Sequence, residues 1–269
     1  MNICRVKTLE EALELVKNGA GVLAGGTNLF VDFKKKGIPD KDYADISGLA
    51  ELKKICKEQD GSIRLGALVT FKDLLKEFGP ETALYQAAYD MGSPQVRNRA
   101  TIAGNICDAS PACDMGPVLL ALNAKVVLCS ENGTREVPVT DFFKSYRVTE
   151  KQPDEILTEI VLPASAGKSI FRKIGLRNAL AISVVSLSAA ETEAGICLAM
   201  GSVAETPVRL THCEVLIKEK KIGAEDLRQA LSQDIHPVTD IRAGSEYRFE
   251  TALNLLCDVL GKEFGYDIV

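Results

Sequence analysis

Apolar residues Leu9, Ala12, Leu13 and Val16 recur at helical spacing behind Thr8-Leu9-Glu10-Glu11, a capping-box sequence, and predict a helix that Gly19 ends. The short apolar run Val22–Ala24 predicts a strand. Leu29, Phe30 and Phe33 predict a short helix whose Lys34-Lys35-Lys36 end is solvated, and Tyr43–Ile46 a further strand. This strand–helix–strand unit places its intervening loop at the carboxyl edge, where ligands of open α/β sheets bind.

A second unit begins near Glu51. Leu52–Cys56 and Ile63–Leu68 read as strands on either side of Asp60-Gly61. Thr70 with Asp73 caps one helix, Pro80 separates it from a second through Leu84, Ala87 and Ala88 toward Gly92, and Gly116–Leu122 reads as a third. Val126–Cys129 and Arg135–Pro138 flank Asn132-Gly133, a hairpin signal, and Ile156–Leu162 is a strand ending at Pro163. The small residues Pro163-Ala164-Ser165-Ala166-Gly167-Lys168 read as a linker. Beyond it, Ile170–Ile174, Ala181–Ala190 and Ile196–Val203 predict strands, followed by helices over Pro207–Ile217, Ala224–Leu231 and Tyr247–Leu260.

Two segments stand apart from these periodic ones. In Leu23-Ala24-Gly25-Gly26-Thr27-Asn28-Leu29, paired glycines end a strand just before a helix that Thr27 is expected to cap. Glycines leave backbone N–H groups open to an anion, and the helix terminus adds further donors, so the loop can hold a phosphate without a lysine; the alternative is plain turn chemistry. The run from Arg97 to Asp114 is dense in small and hydrogen-bonding residues without a clear period, and is expected to be a long ordered loop, neither strand nor helix. Within it, Thr101-Ile102-Ala103-Gly104-Asn105 offers hydroxyl, bare backbone and amide, and Asp114 a carboxylate suited to sugar hydroxyls.

Together the two segments resemble those of the flavin subunit of the molybdenum hydroxylases, the family of xanthine dehydrogenase, aerobic-type carbon monoxide dehydrogenase and related aromatic hydroxylases. In that family an Ala-Gly-Gly-Thr-like loop binds the FAD pyrophosphate, and a Thr-Ile-Gly-Gly-Asn motif with an Ala-Ser-Pro-x-x-Asp tail follows. Here Thr101–Asn105 and Ala109-Ser110-Pro111-Ala112-Cys113-Asp114 take those places, with Ala103 where the first glycine of the pair usually stands. A methyl group at Ala103 would narrow the approach to the flavin, so a local adjustment is expected there.

The resemblance implies an α+β chain: a two-subdomain FAD-binding fold of the PCMH/vanillyl-alcohol oxidase type over 1–163, with subdomains over 1–50 and 51–163. A smaller α+β C-terminal domain with an antiparallel sheet follows over 168–269, covering one side of the flavin and helping to dock partner subunits. It further implies that the backbone of Val22, Leu23, Ala24, Gly25, Gly26, Thr27, Asn28 and Leu29 holds the pyrophosphate. Thr101, Gly104 and Asn105 surround the flavin, Asp114 contacts sugar or adenine, and Leu157 supplies an apolar contact. Lys173 takes the place of a cation beside the isoalloxazine, the alternative being a surface lysine on a strand. The implied activity is an electron relay: substrate is oxidised at a molybdenum cofactor on one partner subunit, and electrons pass through [2Fe-2S] clusters of an iron–sulfur subunit to FAD and on to an acceptor such as NAD+. Two other classes stay open on the residues: a self-sufficient FAD-dependent oxidoreductase on the same fold, and a flavin-free scaffold.

Composition agrees with that reading. The 269 residues are 46% hydrophobic, enough for two cores, and 32 basic against 37 acidic residues leave a net charge of −5. Without a basic block interleaved with aromatics, nucleic acid is not an expected partner; nor is a membrane, and the cytoplasm is the expected location. The eight cysteines show no Cys-x-x-Cys spacing and are expected to be mostly small core residues, with Cys107 and Cys113 flanking the flavin segment; no metal is assigned. His212 and His236 belong to no nucleophile motif, and no Gly-x-Gly-x-x-Gly or Gly-Lys-Ser/Thr phosphate loop occurs, so no residue is assigned a catalytic role. A redox flavoprotein needs none, because the isoalloxazine carries the chemistry.

Overall fold

The structure is a computed structural model that describes residues 1–164, 167–218 and 221–269. Of the expected linker, Ser165 and Ala166 lie outside the described residues.

Three short parallel strands form the first layer. Strand β1 (Ile3–Arg5), too short for its period to show in the sequence, and β2 (Gly21–Leu23) both pair with central β3 (Tyr43–Asp45). Helix α1 (Leu9–Lys17) lies between β1 and β2, burying Ala12, Leu13 and Val16. The Thr8 hydroxyl accepts the Glu11 N–H, while the Glu11 carboxylate accepts from Lys7, one residue earlier than a capping box would have it. Helix α2 (Leu29–Lys36) joins β2 to β3 and buries none of its residues fully.

The second sheet is antiparallel, in the order β4 (Ile55–Lys57), β5 (Ile63–Gly66), β10 (Ile156–Leu162), β6 (Lys125–Ser130) and β7 (Gly133–Pro138). The strand expected over 52–56 is shorter, because Glu51–Lys53 form a 3-10 turn that brings the Leu52 carbonyl against Gly66, where a Cβ would stand 2.3 Å from it. Helix α3 (Phe71–Glu77) opens with a full Thr70–Asp73 capping box. Helix α4 (Ala83–Asp90) and the short α5 (Pro94–Arg97) follow. The run from Arg97 to Asp114 is not the helix-free ordered loop expected: it contains α6 (Ile102–Cys107), capped by Thr101. Six residues with Gly104 in their middle are too few to print a helical period on the sequence.

Helix α7 (Met115–Ala121) is entirely buried. Strands β6 (Lys125–Ser130) and β7 (Gly133–Pro138) pair Ser130 with Gly133, so Glu131-Asn132 form the turn, one residue before the expected Asn132-Gly133. Helix α8 (Val139–Phe142) leads to a small hairpin of β8 (Phe143–Ser145) and β9 (Val148–Thr149), and β10 (Ile156–Leu162) closes the sheet.

A third sheet has the order β11-β12-β13-β14, with β11 (Ser169–Gly175), β12 (Ser183–Thr192), β13 (Gly195–Gly201) and β14 (Val208–Arg209) all antiparallel. The helix expected from Pro207 starts later, as α9 (Thr211–Leu216), because Val208–Arg209 pair with β13. Strand β15 (Lys221–Ile222), α10 (Ala224–Asp234), α11 (Ser245–Phe264) and β16 (Asp267–Ile268) complete the chain. One face of this sheet shares a core with α9–α11 through Ile170, Val185, Leu187, Leu198 and Met200. The other face carries small residues and receives α4 and α7 from the first portion. Close approach depends on those small residues: a Cβ on Gly201 would stand 2.7 Å from the Ser186 hydroxyl and 3.0 Å from Pro117.

Candidate functional site

The parallel sheet delivers Leu23 to its carboxyl edge, and the chain then turns through Ala24-Gly25-Gly26-Thr27-Asn28 into α2. Val22 and Ala24 are half-buried against the small core beneath. Gly25 packs so closely on the second segment that a Cβ would lie 2.0 Å from the Arg99 carbonyl oxygen, and Gly26 sits at φ 74°, a region L-residues seldom adopt. The helix is capped at Asn28, not at Thr27 as expected, and without a side-chain bond, because the Asn28 amide donates to Asp108 Oδ1 at 2.6 Å. Among the described hydrogen bonds, none uses the N–H of Gly25, Gly26, Thr27, Asn28 or Leu29. Five successive donors at a helix start make a cradle for an anion.

The second segment meets this loop directly. Arg99 Nε donates to the Gly25 carbonyl at 3.3 Å. Thr101 is buried; its hydroxyl accepts the Gly104 N–H at 3.1 Å, and its backbone bridges to Thr70. Gly104 is exposed, with only the Thr101 hydroxyl near the place of its missing Cβ, so bare backbone faces outward. Asn105 accepts the Met115 N–H at 3.3 Å and so joins α6 to α7. Ala103 lies in the main core, so its methyl packs among core side chains instead of narrowing the exposed face at Gly104. Ser110 accepts from Ala112, and Cys113 is buried in the same core.

Asp114, just before α7, and Lys173, on β11, are brought together where the first portion of the chain packs on the third sheet. Lys173 Nζ donates to Asp114 Oδ2 at 2.8 Å and to the Asp90 carbonyl at 3.1 Å. Their side chains are 8% and 6% exposed, and Asp114 Oδ1 is buried without a partner. Burial pushes the Asp114 carboxyl up to about 6, against the pull of the Lys173 ammonium. Lys173 is therefore neither the surface lysine of the bland alternative nor free: its charge is spent on a carboxylate and a helix C-terminal carbonyl. Leu157 is buried in the main core on β10, at a bulge between Leu157 and Glu159, in the strand on which α6 packs.

The donor set fits FAD. The unbonded amides of Gly25–Leu29 suit a diphosphate, the exposed backbone at Gly104 leaves room for a flat ring, and the orphaned Asp114 oxygen is an acceptor awaiting a donor. Three side chains at the junction were not foreseen. Arg99 and Asp108 lie inside the quoted segment, but nothing in their spacing marks them; Arg147 comes from the distant β8–β9 hairpin and bonds Asp32 at 3.1 Å. His212 bonds Asp234 on the far side of the third sheet, and no group of three metal-ligating side chains occurs among the described residues.

Comparison with known proteins gives the same picture. Residues 1–165 match the family of the FAD binding domain in molybdopterin dehydrogenase, and residues 172–262 that of the CO dehydrogenase flavoprotein C-terminal domain. The chain is 31% identical to the xanthine dehydrogenase FAD-binding subunit of Escherichia coli O157:H7 over 261 residues, covering 91% of this chain and 89% of that one. It is 33% identical to the nicotinate dehydrogenase FAD-subunit of Eubacterium barkeri, covering 84% and 82%. Its fold superposes, with TM-score 0.88 and 25% identity over 98% of this chain and 97% of the other, on a chain of the carbon monoxide dehydrogenase from Hydrogenophaga pseudoflava that lacks the Mo-pyranopterin moiety of the molybdenum cofactor. The chain belongs to the FAD-binding subunits of the xanthine and carbon monoxide dehydrogenase family, and is the flavin-binding subunit of an oxidoreductase of the molybdenum hydroxylase type.

Proposed function

We propose that this subunit is the electron outlet of a three-subunit molybdenum hydroxylase. Bound FAD would supply two-electron redox chemistry, receiving electrons from [2Fe-2S] clusters on an iron–sulfur subunit after oxidation of substrate at a molybdopterin-binding subunit, and delivering them to an acceptor such as NAD+. The observation that carries the reading is the row of unbonded amides from Gly25 to Leu29 held against the backbone at Arg99.

In this reading residues 1–163 are the FAD-binding domain, divided near residue 50, and 168–269 the C-terminal domain. Val22–Leu29 hold the pyrophosphate, while Thr101, Gly104 and Asn105 surround the flavin. Asp114 accepts a hydroxyl through its free oxygen, Lys173 holds that carboxylate in place, and Leu157 keeps water from the floor. The complex works in the cytoplasm; no helix among the described residues is long and apolar enough to cross a membrane.

The test is isolation of the tagged protein from its native extract, with absorption spectroscopy and metal analysis of what accompanies it. Flavin, iron and molybdenum in co-purifying subunits, with NAD+ reduced on addition of substrate, are the expected result. A lone flavoprotein that turns over a substrate unaided would overturn the reading.

A further inference from the structure

Helix α2 follows the phosphate loop directly, yet it buries no residue fully, so apolar packing alone does not fix where it sits. Its Asp32 accepts from Arg147 Nη1 at 3.1 Å, and the same nitrogen lies 3.5 Å from Asp108 Oδ1. Asp108 Oδ1 in turn accepts from the Asn28 amide in the loop itself. One guanidinium thus ties the helix after the loop, the end of α6 and, through Asp108, the loop.

The backbone around Arg147 is committed to this task. Arg147 sits at φ 57°, and its N–H donates to the carbonyl of Ala109, itself at φ 46°. Two non-glycine residues in the left-handed region, bonded to each other, persist only where their surroundings enforce it. The hairpin tip is held at the spot from which Arg147 reaches both carboxylates.

Charge gives the clasp a second role. Asp32 and Asp108 are two negative charges beside the amides that would receive a doubly charged diphosphate, and Arg147 is the cation in contact with both among the described ion pairs. We infer that Arg147 is a positioning residue for the flavin: it holds the pyrophosphate loop in its binding shape and neutralises Asp108 and, together with Lys36 Nζ at 3.1 Å, Asp32, which would otherwise repel the cofactor. The inference rests on the placement of the FAD diphosphate at Gly25–Leu29.

The test titrates FAD into the flavin-free full chain carrying Arg147→Ala, Arg147→Lys, or Arg147→Ala with Asp32→Asn, following flavin fluorescence, and compares thermal midpoints without FAD. Arg147→Ala is expected to bind FAD about ten- to a hundredfold more weakly with a thermal midpoint within a few degrees of the parent. Its affinity should rise with added salt, which screens the two half-buried carboxylates left without Arg147, whereas the parent's should not. Lysine, and separately Asp32→Asn, should each recover part of the loss. FAD affinity and salt response unchanged in Arg147→Ala, or an affinity loss that only tracks a lowered midpoint, would overturn the clasp. Parental affinity unmoved by Gly25→Ala would instead count against the loop as the diphosphate site.

Discussion

Lys173 Nζ, on strand β11, lies 2.8 Å from Asp114 Oδ2 at the start of α7, and this buried pair pins the third sheet to the first portion of the chain. Because burial raises the Asp114 carboxyl to about 6, the native state holds that proton more tightly than the unfolded chain does. Its contribution to stability is therefore greatest below the ordinary carboxylate range, and is lost as pH rises through about 6. From pH 4 to 7 the unfolding free energy of the parent should fall relative to Asp114→Asn by up to about 3 kcal/mol, two units at 1.36 kcal/mol each. Denaturant unfolding of both proteins across that range measures it, and a flat difference would refute the assignment.

Removing the cation has the opposite pH signature. Lys173→Met leaves a buried carboxylate unpaired, which costs about 3–5 kcal/mol at pH 7.5. Near pH 5 Asp114 takes up a proton and much of that loss should disappear. Thermal unfolding at the two pH values decides the matter.

Gly25→Ala drives a methyl group into the Arg99 carbonyl, where backbone has to move. The expected cost is about 1–3 kcal/mol in stability, as for other overpacked sites, together with loss of FAD retention through gel filtration. Gly133→Ala makes a suitable control: it lies at φ 131° in a hairpin far from the loop, with no atom within 4 Å of the added carbon, and it should keep its flavin.

Thr101→Val removes the acceptor for the Gly104 N–H at the start of α6 while preserving shape. A helix cap of this kind is worth about 1 kcal/mol, and the variant should unfold at correspondingly lower denaturant. FAD should dissociate faster from it, since Gly104 and Asn105 ride on that turn.

Thiol reactivity should separate the cysteines. Cys56 alone is exposed, whereas burial pushes the Cys107 thiol up to about 11 and that of Cys113 up to about 12. A thiol reagent at pH 8 should modify Cys56 first and reach Cys113 only on unfolding, as mass mapping of the labelled peptides will read.

Much of the architecture was legible in one dimension. Helix α1, the Thr70–Asp73 cap, β10 and the three long strands of the third sheet announce themselves by local chemistry: a hydroxyl at a helix start, an acid three residues on, apolar runs of strand length. The paired glycines likewise mark their loop, because a bare backbone is a local property. What escaped had too few residues to show a period, as in β1 and α6, or was set by distant neighbours, as where β14 pairing delays α9.

The family, the glycine loop and the donors and acceptors at its disposal can be read one residue at a time, since backbone freedom and side-chain chemistry travel with each residue. Which of them meet is a matter of packing in three dimensions. That packing turned Asn28 to Asp108 and left α2 without a side-chain cap, and it spent the Lys173 charge on Asp114 across the sheet interface. It also carried Arg147 over a hundred positions back along the chain to Asp32, and to Asp108 beside it. Ion pairs and close backbone approaches depend on distance in space, and spacing along a chain holds no record of that distance until the cores have packed.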